Sequence, residues 1–394
     1  MQKLPRLSFT NNTTPYTETT LEQVVDFRVR SKELPVDKDG KYQIVTIKAI
    51  GKDNRVVAFK KHTNNTQDLL QTGDIVMVLY GYCGRSAVVT ASDTYALNLR
   101  VSLLRVKDQK QVNPYYLQAY LQRHESKKII NVMAQGTAQS FLTVKSLKTF
   151  PVKLADITEQ NKIGNLFKDL DDLIASATAA YKNTRKMRKG LVRQMFNFVD
   201  GLPSLRFPEF TQEQSKRKQK QKWQTKTVAE LVTFYNNKRV PITAKHRVKG
   251  ETPYHGANGI KDYVQGYTHD GENILIAEDA ANDLNDYPIR LTQGKIWVNN
   301  HAHVMRAKEK LTENMYLISH LRSFHYQAIC VGTTRSKLNK GILENLEIHL
   351  PPTYEEQLKI AKLFRDIDKL LEAQTKRIEY LRTLRKGLIQ NLFI

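Results

Sequence analysis

The sequence predicts an α+β protein with two tandem mixed α/β heads and two long coiled-coil helices, arranged as a pseudo-two-fold internal repeat. Three observations predict it. A 38-residue segment recurs at an offset of 197 residues, an apolar three-four spacing runs through both copies, and β-branched runs fill the parts between. A chain of 394 residues has room for two or three domains. Its 40% hydrophobic content excludes global disorder.

The repeat is read directly. Glu159-Gln160-Asn161-Lys162-Ile163 matches Glu356-Gln357-Leu358-Lys359-Ile360, and Arg188-Lys189-Gly190-Leu191 matches Arg385-Lys386-Gly387-Leu388. From Glu159 to Phe196, 16 of 38 positions equal those from Glu356 to Phe393. Weaker echoes lie upstream, in Gly136-Thr137-Ala138-Gln139-Ser140-Phe141-Leu142 against Gly332-Thr333-Thr334-Arg335-Ser336-Lys337-Leu338, and in Leu4–Phe9 against Leu202–Phe207. A unit this long can hold its own core, unlike a solenoid repeat. The expected division is a first head over 1–152, a long helix over 153–200, a second head over 201–350 with a basic linker at 212–226, and a second long helix over 351–394.

Within the heads, Tyr42–Ile47, Asp74–Tyr80, Asn273–Ala277 and Lys295–Val298 read as strands. Pro114–Arg123 and Thr312–Phe324 read as short helices. Each long helix opens on a capping-box pattern, Asp156-x-x-Glu159 and Thr353-x-x-Glu356, in which the glutamate reaches back to the cap residue. Apolar residues then recur at Ile163, Leu166, Leu170, Leu173 and Ala177, and at Ile360, Leu363, Ile367 and Leu370. That spacing predicts a coiled-coil seam in a rod of about 60 Å. Two amphipathic helices, each lying on its own head, would show the same period. Phe167 and Phe364 fall beside the seam, placed to widen it or to meet another protein.

Lysine and arginine total 62 against 39 acidic residues, a net charge of +23, which points to a polyanion such as nucleic acid or an anionic membrane surface. No run approaches the ~18 apolar residues of a spanning helix, and Met1–Pro5 lacks a signal-peptide core. The two cysteines, Cys83 and Cys330, form neither a metal spacing nor a disulfide framework, so a reducing cytoplasm is expected. Two diverged heads suit a two-part target. On DNA, half-sites roughly one turn (~34 Å) apart would be within reach, and unlike heads would read an asymmetric sequence.

These features resemble the specificity subunit of Type I restriction–modification enzymes. The residues that carry the resemblance are the two helix starts, the two Arg-Lys-Gly-Leu ends, Tyr254-His255-Gly256-Ala257-Asn258-Gly259-Ile260, and Trp297–Val304. The first head departs from the Y-x-G-A-x-G-I pattern. The resemblance implies two target recognition domains, each reading half of a bipartite DNA site, and two helices packed antiparallel that set the spacing. It implies two methyltransferase subunits using S-adenosylmethionine and two motor-nuclease subunits using ATP and Mg²⁺. On this expectation the chain, from a prokaryotic cytoplasm, binds no cofactor or metal and catalyses nothing.

The motifs agree. There is no G-x-x-x-x-G-K-[ST] phosphate loop, and Asn113-Pro114-Tyr115-Tyr116 lacks the second proline of a methyltransferase motif. His301 and His303 stand without a carboxylate or cysteine cluster, so packing or hydrogen bonding is expected of them.

Base reading calls for Arg on guanine and Asn or Gln on adenine. In the second head the candidates are Thr333, Thr334, Arg335, Lys337 and Asn339 of the glycine-led loop, then Tyr254, His255, Asn258 and Lys261. In the first they are Thr137, Gln139 and Ser140, then Tyr82 and Arg85. The expected subunit interface is Leu166, Phe167, Leu170, Leu173, Leu363, Phe364, Ile367 and Leu370. The rival readings are a fused or stand-alone restriction/methyltransferase enzyme, and a coiled-coil scaffold that binds RNA or protein.

Overall fold

The computed structural model describes residues 7–10, 16–51, 54–56, 61–92, 94–136, 139–211, 223–332 and 336–393. They group into two compact units, one of residues 1–180 with 374–394 and one of 181–373. Each unit holds one head and a stretch of both long helices.

The first head runs β1 (Thr17–Thr20), β2 (Val25–Val29), β3 (Tyr42–Val45), β4 (His62–Thr63), β5 (Ile75–Val78), β6 (Ser86–Val88), β7 (Tyr95–Leu97), β8 (Val101–Val106) and β9 (Pro151–Leu154). Strands β2-β8-β5-β6 form one sheet, β4-β3-β7 a second, and β1 pairs with β9. Every residue of β5 is buried, as its unbroken Ile75-Val76-Met77-Val78 run requires of a strand covered on both faces. The helix Pro114–Leu121 opens with Asn113 as cap, whose side chain accepts from the Tyr115 and Tyr116 amides, and proline at its first position.

After β10 (Phe198–Val199) and β11 (Leu202–Pro203), the second head repeats the plan. Its strands are β12 (Gln224–Thr227), β13 (Val232–Phe234), β14 (Lys249–Gly256), β15 (Gly259–Val264), β16 (Asn273–Ala277), β17 (Ile289–Thr292), β18 (Trp297–Val298), β19 (Ala302–Ala307) and β20 (Glu347–Leu350). The sheets are β13-β19-β16-β17 and β15-β14-β18, and β12 pairs with β20. Strand order and direction match the first head pair by pair, including the parallel pairs β3–β7 and β14–β18. The expected basic linker ends earlier than 226, because Gln224–Thr227 is the β12 strand. Residues 212–222 lie outside the described residues.

The long helices are Ile157–Met195 and Tyr354–Leu392, 39 residues each. In the first unit Phe167 stacks on Phe393, with centroids 6.0 Å apart, and Asp171 binds Arg385 at 2.7 Å. In the second, Phe196 stacks on Phe364 at 6.2 Å, and Arg188 binds Asp368 at 3.0 Å. In each unit one helix number rises as its partner falls, so the helices pair antiparallel.

The seam holds at alternate positions and is corrected at the others, where the residue one step on is the buried one. Ile163, Phe167, Leu170, Ile174 and Ala177 are buried, as are Ile360, Phe364, Ile367 and Leu371, whereas Leu173 and Leu370 are 45% and 47% exposed. Phe167 and Phe364 are core residues, because the aromatic end of the other helix packs on each. The capping boxes are corrected too. Asp156 accepts from the Thr158 and Glu159 amides, and Thr353 from the Glu356 amide. The glutamates, however, bind elsewhere. Glu159 accepts from Phe9 N and Thr10 Oγ1, each at 2.9 Å. Glu356 is forked by Arg206 at 2.6 and 2.7 Å. The glutamate of each repeat therefore anchors the segment that enters its own unit.

Candidate nucleic-acid interface

In the second head the 278–282 segment is the hub. The Leu338 amide donates to Glu278 O at 2.7 Å, and Asp279 pairs with Lys337. Asn258 Nδ2 donates to Ala280 O at 2.8 Å, and Asn258 Oδ1 accepts from Asn282 N at 3.0 Å. The glycine-led loop and the β14–β15 turn are thus joined through one stretch of backbone. His303 fixes the loop's end. Its Nε2 donates to Leu338 O at 2.8 Å and its Nδ1 accepts from Asn236 Nδ2 at 3.0 Å, which defines a neutral ring. Burial lowers its pKa and outweighs the Leu338 hydrogen bond and the Glu278 charge. His301 bonds Asp279 at 2.7 Å.

Glu278 carries the local charge balance. It accepts from Arg239 Nη1 at 2.7 Å and lies 3.6 Å from Lys337 Nζ. Burial pushes its carboxyl up, but the Arg239 hydrogen bond and the Arg239 and Lys337 charges push it further down. Lys337 is exposed beside this carboxylate, and Asn339 is exposed with no capping bond from its side chain. Thr333, Thr334 and Arg335 lie outside the described residues.

Two candidates prove to be interior residues. Tyr254 is 1% exposed, and its hydroxyl donates to Ile242 O at 3.1 Å and accepts from Ile242 N at 3.0 Å. His255 is buried, and burial with the nearby Arg290 charge lowers its pKa to about 4. Both lie in the interior, and the Tyr254 hydroxyl ties β14 to the Ile242 backbone. Asn258 has its amide committed to the turn, which makes it a lock on that turn. Lys261 stays exposed, with its stem across Gly256.

The sequence reading missed Arg290. It donates to Asn258 O beneath the β14–β15 turn, is half-buried, and burial lowers its pKa. Gly259 makes room for it. The backbone there has φ +123°, and a Cβ would fall 1.9 Å from Arg290 Nη1. The glycines of the segment point to a close approach, but the sequence does not say that a guanidinium from β17 makes it.

In the first head the two candidate groups also meet. Gly81 N donates to Ser140 O at 2.8 Å, Tyr80 pairs with Phe141, and their rings stack at 6.0 Å. Tyr82 is 67% exposed with the Arg85 guanidinium 4.4 Å over its ring. Gln139 and Ser140 are exposed beside Gly81. Thr137 lies outside the described residues. The bridge from Leu79 O to Leu142 N repeats that from Glu278 O to Leu338 N, so in both heads the glycine-led loop is fastened to the matching connection, β5–β6 in the first and β16–β17 in the second.

Of the expected subunit-interface residues, Phe167, Leu170, Phe364 and Ile367 are buried inside their own units, which corrects their place there. Leu166 and Leu363 are half-buried, and Leu173 and Leu370 are exposed. Among the described residues no group of three His, Cys, Asp or Glu is arranged to hold a metal, and no helix is long and apolar enough to cross a membrane.

The model of the Type I restriction modification DNA specificity domain matches residues 15–183 and again 220–382. The chain is 43% identical over 138 residues to a putative type I restriction enzyme specificity subunit of Haemophilus influenzae, a match that spans 35% of this chain and 35% of that protein. It is 25% identical over 340 residues, 79% of this chain and 75% of the relative, to the putative type I restriction enzyme MjaX specificity subunit of Methanocaldococcus jannaschii. The crystal structure of the Type-I restriction-modification system S subunit from M. genitalium superposes with a TM-score of 0.72 at 16% identity, covering 100% of this chain and 99% of that one. With both heads matched by one model, the chain belongs to the Type I restriction modification DNA specificity family.

Proposed function

We propose that the chain is the non-catalytic DNA-reading subunit of a Type I restriction–modification complex. Each head would read one half of a bipartite, asymmetric site. The observation that carries this reading is the doubled framework: in both heads the glycine-led loop is fastened to the matching connection, β5–β6 or β16–β17, and the exposed residues around it differ. A repeated framework with unlike exposed residues suits two unlike half-sites. In the second head Arg290, Lys261, Lys337 and Asn339 join Thr333, Thr334 and Arg335 at the DNA. In the first, Tyr82, Arg85, Gln139 and Ser140 join Thr137. The net charge of +23 supports binding to the phosphate backbone.

Methyltransferase subunits with S-adenosylmethionine, and motor-nuclease subunits with ATP and Mg²⁺, are the partners this reading entails. Two of each are expected. The exposed Leu173 and Leu370 are the side chains we assign to the methyltransferase contact.

Equilibrium binding to a duplex carrying the site, with unrelated duplex as competitor, tests the reading. Arg335→Ala lowers specific affinity by about 1–3 kcal/mol and leaves nonspecific affinity nearly unchanged. An equal loss on both duplexes makes Arg335 a phosphate clamp. Equal affinity of the native chain for both duplexes overturns the reading.

A further inference from the structure

The two Arg-Lys-Gly motifs line cavities of similar size, about 330 Å³ at Arg188-Lys189 and about 340 Å³ at Arg385-Lys386. Each lies within its own unit, and in each the motif arginine is committed to an aspartate of the opposite helix. The surroundings then diverge. In the second unit Asp286 fills the charge requirement. It accepts from Arg185 and from Arg188 at 3.3 Å, and lies 4.0 Å from Lys189 Nζ. Burial raises the Asp286 carboxyl pKa, and these cations more than reverse the shift.

The first unit has no such acid among the described residues of the lining. Asp286 comes from the long connection between β16 and β17. The matching connection between β5 and β6 is the shorter Leu79-Tyr80-Gly81-Tyr82-Cys83-Gly84-Arg85, with no Asp or Glu. The lining includes His124, Lys127, Arg382 and Lys386. Burial, then the Arg385 and Lys386 charges, lower the Lys127 pKa. Asp171 serves Arg385 and leaves the lysines to another anion.

We infer that the cavity bordered by His124, Lys127 and Lys386 binds a phosphate group, in the place where the second unit supplies Asp286 from its own chain. Two ammonium groups and an imidazole suit a phosphate group, with lysine acting as a point charge. The phosphate is either a free small anion or one of the DNA backbone, and two measurements separate these sources.

The first is thermal unfolding of the full chain at constant ionic strength, with inorganic phosphate replacing chloride. A free-anion site gives a saturable rise in Tm that is lost in the double variant Lys127→Gln/Lys386→Gln and kept in Lys189→Gln. The second, which rests on the DNA-binding reading, is the salt dependence of duplex affinity. A backbone-phosphate site leaves Tm insensitive to phosphate, and the double variant reduces the log–log salt slope by about 0.9 for the lost contact. A chain that shows neither effect overturns the inference. If the chain binds no duplex, the unfolding measurement alone decides it.

Discussion

Arg385 forks Asp171, with Nε 2.7 Å from Oδ1 and Nη2 3.1 Å from Oδ2. Both residues are under a tenth exposed. The same two repeat positions form the Arg188–Asp368 pair of the second unit. One interaction has thus been kept twice, each time locking the end of one long helix to the start of the other.

Breaking it should cost more in the first unit. Arg385→Ala leaves Asp171 buried with Asn54 at 3.2 Å and the Arg55 charge as its remaining partners among the described residues, and a stripped buried pair loses about 3–5 kcal/mol. Arg188→Ala leaves Asp368 with Arg322 at 2.9 Å, so its loss is smaller. Urea unfolding of the two variants ranks them. A larger loss in Arg188→Ala contradicts this account.

Acid should destabilise the second unit. His255 and His320 have folded pKa values of about 4 and about 3, both lowered chiefly by burial from 6.5. Below pH 6.5 the unfolded chain binds protons that the folded chain refuses, so stability falls as pH drops from 6.5 towards 4. At pH 5 each histidine withdraws about 2 kcal/mol relative to neutral pH. Unfolding free energy measured from pH 7 to 5 should show this slope, and His320→Gln should flatten it.

Gly259 and Gly190 should respond oppositely to alanine. Gly259→Ala forces a strained φ and a collision with Arg290, for a loss of about 1–3 kcal/mol or more. Gly190 sits in a helix with open space where a Cβ would point, so alanine there gains about 1 kcal/mol. Melting temperatures of the two variants check both signs.

Leu173→Arg and Leu370→Arg should leave the chain folded, since both side chains are already exposed. Each should weaken co-purification with the methyltransferase subunit. Full retention of the complex in both variants contradicts the placing of these leucines at that contact.

Much of the fold was legible in the sequence, because the duplicated Glu-Gln and Arg-Lys-Gly positions mark both long helices and the β-branched runs mark buried strands. The seam register was not. Leucines at 166, 173, 363 and 370 fit the three-four spacing as well as the buried Phe167, Ile174, Phe364 and Leu371 do, and only packing against the second helix chooses between them. The role of Glu159 and Glu356 was hidden for a similar reason. A helix-start glutamate looks like a cap, while its partners Phe9, Thr10 and Arg206 lie about 150 residues away in sequence.

At the candidate interface the loops could be found from glycine and polar residues, but exposure could not. Tyr254 and Asn258 share a segment, and only the fold shows that one is interior and the other locked. Arg290 carries no local signal, since it reaches the turn from β17.

The central claim is that each head reads its own half of one DNA site. The adenine methylome of cells carrying the chain with its methyltransferase tests this most directly, with residues 228–346 exchanged for the matching segment of a diverged relative. The account predicts a new sequence in one half of the methylated site, with the other half and the spacing retained. A change in both halves, or an unchanged methylome, would contradict it.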